Sequence, residues 1–139
     1  MDNRKQIYES TILDIFRKHF PGFPKGRLIK SESPDFILKT RPKYAICIEL
    51  TSLPHNTYEI TTKNILSLIA DIKVTIAKKE EKLNFYRKKQ ANEYWLIIHA
   101  DSITINSINL KNHIDKLSVC SGFERIFLFG LFEGEVWEL

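Results

Sequence analysis

The sequence predicts an α/β domain in which a central mixed sheet is flanked by helices. Three observations carry that expectation. Ile12, Leu13, Phe16 and Phe20 fall at helical spacing near the N-terminus, and the stretch from about Tyr58 to Gln90 has neither glycine nor proline and carries a helical apolar stripe. The apolar runs Tyr94-Trp95-Leu96-Ile97-Ile98-His99-Ala100 and Ile126-Phe127-Leu128-Phe129 suit strands covered on both faces. With 139 residues, 43% of them hydrophobic and 27% charged, the chain has room for one domain over residues 1–139 with a sizeable core.

The first helix is expected from Asn3 to about His19, stopped by Pro21-Gly22 and Pro24. Glu9 lies three to four residues before Ile12 and Leu13, so it faces the sheet or reaches solvent from the rim of the stripe. Lys25-Gly26-Arg27 leads into a short strand around Leu28-Ile29. Phe36-Ile37-Leu38 and Tyr44 through Ile48 read as two strands joined by the basic turn Lys39-Thr40-Arg41-Pro42-Lys43, where the fixed φ and missing N–H of proline do no harm. Arg27, Lys30, Lys39, Arg41 and Lys43 can approach phosphates from one side of a cleft or form an ordinary solvated edge.

After the loop from Ser52 to Thr57, the long helical stretch runs its stripe through Ile65, Ile69, Ile72, Ile76, Leu83 and Tyr86, with one rung replaced by Lys79. A cation on a core-directed stripe must snorkel out or meet an anion, and Lys82 lies three positions on, beside it. A right-handed crossover then leads to the strand at Tyr94–Ala100. Asp101-Ser102 reads as a turn, and Ile108, Leu110, Ile114 and Leu117 suggest a second short helix ending near Ser121-Gly122. A last buried strand from Arg125 to Phe132 turns at Glu133-Gly134-Glu135 into Val136-Trp137-Glu138-Leu139.

The hairpin carries the chemistry. Asp35 opens its first strand and Glu49 closes its second, and a carboxylate at the end of a nearly all-apolar strand is costly unless something pairs with it. Two brought together repel unless a cation lies between, which makes a divalent metal the economical explanation. By residue type alone, Asp35 also fits a turn position after proline and Glu49 a solvated strand end.

Pro34-Asp35, followed after the hairpin by Glu49-Leu50-Thr51, resembles the active-site hairpin of the PD-(D/E)xK nuclease superfamily, the group of type II restriction endonucleases and many DNA-repair nucleases. The resemblance implies a restriction-endonuclease-like core in the order α-β-β-β-α-β-α-β. It also implies Mg²⁺ (or Mn²⁺) held by Asp35, Glu49 and the carbonyl of Leu50, with Glu9 a further candidate ligand, and hydrolysis of phosphodiester bonds in nucleic acid, DNA ahead of RNA. Thr51 stands where the family has a lysine. Lys82-Leu83-Asn84-Phe85-Tyr86 is similar to the Gln-Leu-x-x-Tyr motif of the RecB-like branch, with Lys in place of Gln, so Lys82 and then Lys79 are candidates to return the missing cation. Lys78-Lys79-Glu80-Glu81-Lys82 also reads as a solvated charge run. The alternative function is a non-catalytic nucleic-acid-binding or protein-interaction module on a degenerate nuclease fold, and Thr51 is its best evidence. A domain this small has little room for base readout, so a homodimer or a partner protein is the expected source of specificity.

The formal net charge of +4 favours polyanionic partners. Two cysteines, Cys47 and Cys120, make neither a disulfide framework nor a zinc quartet. His19, His55, His99 and His113 are scattered without the spacing of a zinc site, and the five glycines form no phosphate loop. Asp2 to Gln6 is charged and no apolar run approaches about 18 residues, so no membrane span is expected and a reducing cytoplasm is the expected setting.

Overall fold

The structure, a computed structural model, describes residues 3–88, 90–105, 112–113 and 121–139. Helix α1 (Asn3–His19) leads into β1 (Arg27–Lys30), β2 (Phe36–Arg41) and β3 (Tyr44–Ser52), and then β4 (Thr57–Ile60), α2 (Ile65–Glu80), α3 (Leu83–Arg87), β5 (Glu93–Ala100), β6 (Ser102–Ile105), β7 (Arg125–Gly130) and β8 (Glu135–Glu138) follow. The protein is α/β. A mixed six-stranded sheet has the order β1-β2-β3-β5-β7-β8, antiparallel at both edges and parallel across β3, β5 and β7, and β4 and β6 form a separate parallel pair. The cluster expected to form a second short helix at Ile108, Leu110, Ile114 and Leu117, and Cys120, lie outside the described residues.

Alternation along the central strands divides the core into two layers. On one face Ile48, Leu50, Trp95, Ile97, Phe127 and Phe129 pack against Ile12, Leu13 and Phe16 of α1. On the other, Cys47, Leu96, Ile98, Ile126 and Leu128 pack against Leu68, Ile72 and Ile76 of α2 and Leu83 and Tyr86 of α3. Burial on both faces is why β5 and β7 read as continuous apolar runs rather than alternating ones. Phe16, fully buried, meets Phe127 and Phe129 edge-on at centroid separations of 5.3 and 5.5 Å, which fixes α1 over the middle of the sheet. Gly134 closes the β7–β8 turn at φ +68°, a conformation that L side chains rarely adopt.

Three segments differ from the sequence expectation. The helix expected over about 58–90 is divided into β4, α2 and α3. Thr57-Tyr58-Glu59-Ile60 alternates exposed and buried, a period of two that pairs with β6 in register Tyr58↔Ile103. The second break, at Glu81-Lys82, contains neither glycine nor proline. It follows Glu80, whose carboxylate accepts the Ser121 hydroxyl and, at 2.9 Å, the Gly122 N–H. Ser102, expected in a turn, starts β6, its N–H donating to Asn56 O at 3.1 Å. Among the described residues no helix is long and apolar enough to cross a membrane.

Candidate active site

Asp35 and Glu49 are brought together by the register of the β2–β3 hairpin. Phe36 pairs with Ile48, so the residue before one strand faces the residue beyond the other's partner. Two bonds lock this arrangement: the Asp35 N–H donates to Glu49 Oε1 at 3.2 Å, and the Leu50 N–H donates to Asp35 Oδ2 at 2.8 Å. Each carboxylate thus occupies a backbone donor of the other strand where the ladder has ended, and both residues are buried, each 6% exposed. The Asp35 carbonyl accepts the Ser31 N–H at 2.8 Å and the Lys30 ammonium at 3.0 Å, so β1 helps to hold the turn.

Both helical layers reach this point. From α2, the Lys79 ammonium lies 3.1 Å from Glu49 Oε2, and from α3 the Tyr86 hydroxyl donates to the same oxygen. From α1, buried Glu9 approaches Asp35 and lies 3.5 Å from Lys30 Nζ. The parallel pairing Ser52↔His99 brings buried His99 of β5 to the same end of the sheet. These side chains, with Lys5, Tyr8, Lys82 and Phe85, line a cavity of about 600 Å³.

The electrostatics separate the two central acids. Burial, hydrogen bonding to Glu49 and to Glu9, and the Glu49 charge push Asp35 up to about 9, against one lowering influence, the Leu50 N–H. Burial acts the same way on Glu49, but hydrogen bonds from Asp35 and Tyr86 and the Lys79 ammonium outweigh it and hold that carboxyl below its ordinary value. The protein by itself therefore stores one proton on Asp35 and one negative charge on Glu49. Burial raises Tyr86, and its bond to Glu49 raises it further, so its hydroxyl remains a donor. Burial lowers His99 to about 4 against the opposing pull of Asp101 and Glu9, so its imidazole is neutral.

Among the described residues no three His, Cys, Asp or Glu side chains stand together as a metal cluster. Asp35 lies between Glu49 and Glu9 without all three meeting at one point. The donor set that remains, two carboxylates with backbone and open cavity beside them, is all hard oxygen. It fits Mg²⁺ or Mn²⁺, since Mg²⁺ commonly takes only one or two carboxylates and completes its shell with water and phosphate. No family model matches the chain, and neither a curated protein nor a solved structure matches it significantly.

Of the residues singled out in the sequence, Asp35, Glu49, Leu50, Glu9, Lys79 and Lys82 all line the cavity. It is Lys79 that reaches Glu49; Lys82, exposed at the 81–82 break, lines the same cavity and among the described residues makes no ion pair. Thr51, half-buried on β3, also borders the cavity. Lys39, Arg41 and Lys43 are exposed towards the closed end of the hairpin, about 13 Å (Lys39) to about 20 Å (Arg41) from Asp35 by strand rise, and none of the three lines this cavity. Lys30, read from the sequence as either a phosphate contact or part of a solvated edge, is half-buried beside the site, its ammonium donating to Asp35 O and lying 3.5 Å from Glu9. His99 was hidden in an apolar run. The signal for it was position: it ends a strand beside the one that carries Glu49, and sites collect at the carboxyl ends of adjacent parallel strands.

Proposed function

We propose that this chain is a divalent-metal-dependent nuclease with a restriction-endonuclease-like core. The observation that carries the reading is the meeting of two buried carboxylates, Asp35 and Glu49, with a lysine ammonium 3.1 Å from one of them in an open cavity. An antiparallel hairpin that feeds a parallel strand, with α1 on one sheet face and α2 on the other, is the arrangement that the resemblance to PD-(D/E)xK nucleases leads one to expect. Asp35, Glu49 and the Leu50 carbonyl, with Glu9 adjacent, would hold Mg²⁺ or Mn²⁺. When bound, the ion supplies Lewis acidity to the scissile phosphate and to the attacking water. Lys79 would orient that water and offset negative charge as the new P–O bond forms and the ester P–O bond breaks, the leaving oxygen taking a proton. Tyr86 would hold Glu49 in place through its hydroxyl. Lys79 thereby fills the role that Thr51 cannot, its ammonium arriving from the helix instead of the strand.

Nucleic acid, DNA ahead of RNA, is the substrate class this reading implies. The test is cleavage of DNA and RNA in Mg²⁺ or Mn²⁺ by wild type, Asp35→Ala and Glu49→Ala, with calorimetry of metal binding on the same proteins. Loss of cleavage and of metal binding in both variants is expected; variants that cut as fast as wild type would refute it. One observation favours a second reading, a binding module that cuts nothing: Glu49 Oε2 is already engaged by both Lys79 and Tyr86. Under that reading calorimetry detects no binding of either metal.

A further inference from the structure

Two aromatic rings at the cavity are left more than half exposed by the fold. Tyr8 on α1 is 51% exposed and Phe85 on α3 is 58% exposed, and both line the cavity above Asp35 and Glu49. Their helices pack on opposite faces of the sheet, so the rings stand on opposite lips of an opening at the carboxyl ends of β3 and β5. Each is oriented by a neighbour. The Tyr8 ring meets the buried His99 ring at 6.2 Å between centroids and 66° between planes, and the Lys88 ammonium lies 5.1 Å from the centre of Phe85. Lys5 beside Tyr8 and Lys82 beside Phe85 also line the opening, and among the described residues neither makes an ion pair.

Exposed rings with ammonium groups beside them, against one exposed acid on the lining, Glu32, match a ligand with flat apolar faces joined by regularly spaced negative charge. A nucleic-acid duplex shows its phosphates but keeps its base faces inside the stack, whereas a single strand offers both. We infer that the cavity receives a single-stranded segment of nucleic acid, with bases stacked on Tyr8 and Phe85 while Lys5 and Lys82 guide the phosphates across the opening. The inference rests on the nuclease reading for the orientation of the strand, since that reading places the phosphodiester over Asp35 and Glu49. Two lips, one on each side, would hold the strand on both flanks of the bond to be cut. The neutral His99 ring fixes one lip and would act as a positioning residue for Tyr8.

The test is fluorescence anisotropy with a labelled oligonucleotide of roughly 12 nucleotides, single-stranded and as the matching duplex, in EDTA and in Ca²⁺. Wild type is expected to bind the single strand at least about tenfold more tightly than the duplex. Tyr8→Ala and Phe85→Ala should each weaken single-strand binding by about ten- to a hundredfold and leave duplex binding within about twofold, the scale of one lost stacking contact. Tyr8→Phe and Phe85→Trp should retain affinity, because they keep a ring. Equal affinity for the two forms, equal losses on both, or binding that an acidic peptide displaces as readily as the oligonucleotide does would overturn the inference. Cleavage by the same proteins separates it from the preceding reading. Single-strand preference with ring-dependent affinity in a chain that cuts nothing refutes the nuclease and keeps the lips. Metal-dependent cutting of duplex and single strand at equal rates, unchanged in both alanine variants, does the reverse.

Discussion

Replacing Asp35 by Asn should stabilise the metal-free protein, because the fold holds a proton on this residue that the unfolded chain would release. Burial and the neighbouring acids raise the carboxyl to about 9, while an unfolded Asp titrates near 3.9. At pH 7 unfolding therefore sheds the proton, a linkage that costs the native state at most about 4 kcal/mol, and about half of that if Glu49 shares the proton. The sign follows from the raised value: the contribution of Asp35 to stability is fully present below about pH 4 and is lost as pH rises towards 9. Asparagine mimics the protonated acid, with an oxygen to accept the Leu50 N–H and an amide to donate to Glu49 or Glu9, and it does not ionise. Urea denaturation followed by tryptophan fluorescence, with Trp95 buried as the reporter, should show Asp35→Asn more stable by about 2–4 kcal/mol at pH 7 and equal to wild type near pH 4. In a thermal melt the gain at pH 7 is roughly 6–16 °C for a chain of this size. A variant less stable than wild type at pH 7, or a gain of the same size at pH 4, would refute the reasoning and make Asp35 a structural residue.

Lys79→Met should cost about 1–3 kcal/mol in the same assay at pH 7. Loss of a buried partner usually costs 3–5 kcal/mol, but this ammonium is partly exposed and Tyr86 continues to hold Glu49. Lys82→Met should stay within about 0.5 kcal/mol, and a larger loss at 82 than at 79 would reverse the assignment of the cation. His99 is held neutral, lowered to about 4 by burial, so its contribution to stability is present above about pH 6.5 and lost as pH falls through 4. Relative to wild type, His99→Gln should gain on the order of 3 kcal/mol between pH 7 and pH 4, read as a difference of urea midpoints; a constant difference across that range would show that His99 is not held neutral.

The parts of the fold legible in the sequence are those whose period is set by burial. The α1 stripe at Ile12, Leu13 and Phe16, the hairpin strands and the two-face runs of β5 and β7 all form where their apolar pattern places them. The division of 57–87 was not legible because its signals are weak or distant. Tyr58 lies seven residues before Ile65 and so continues the helical stripe, whereas Ile60, two residues on, fits only a strand period of two; over so short a segment the pattern is ambiguous, and pairing with β6 decides it. The break at 81–82 carries no glycine or proline, and the contact beside it, from Glu80 to Ser121 and Gly122, is made with residues more than forty positions away along the chain. At the site, Asp35 and Glu49 were legible because acids stood at the ends of apolar strands. The choice between Lys79 and Lys82 was not, because it depends on whether the helix continues past Glu80.

Carrying the cation on α2 instead of on β3 changes what keeps the site assembled. A lysine two positions after Glu49 would be fixed by strand register alone, since residues 49 and 51 project from one face of the same strand. Lys79 is fixed by how α2 docks on the sheet, through Leu68, Ile72 and Ile76 packed against Leu96 and Ile98, and by the next segment, which buries Leu83 and brings Tyr86 to the same carboxylate. Glu49 thus becomes a latch between sheet and helices as well as a candidate ligand. The ion pair and the hydroxyl bond hold its charge where two buried acids would otherwise repel. A cation entering the cavity would compete with Lys79 for Glu49 while displacing the proton from Asp35. If an ion binds as proposed, its loading and the seating of α2 on the sheet would be linked through Glu49 Oε2, the oxygen that Lys79 and Tyr86 now hold.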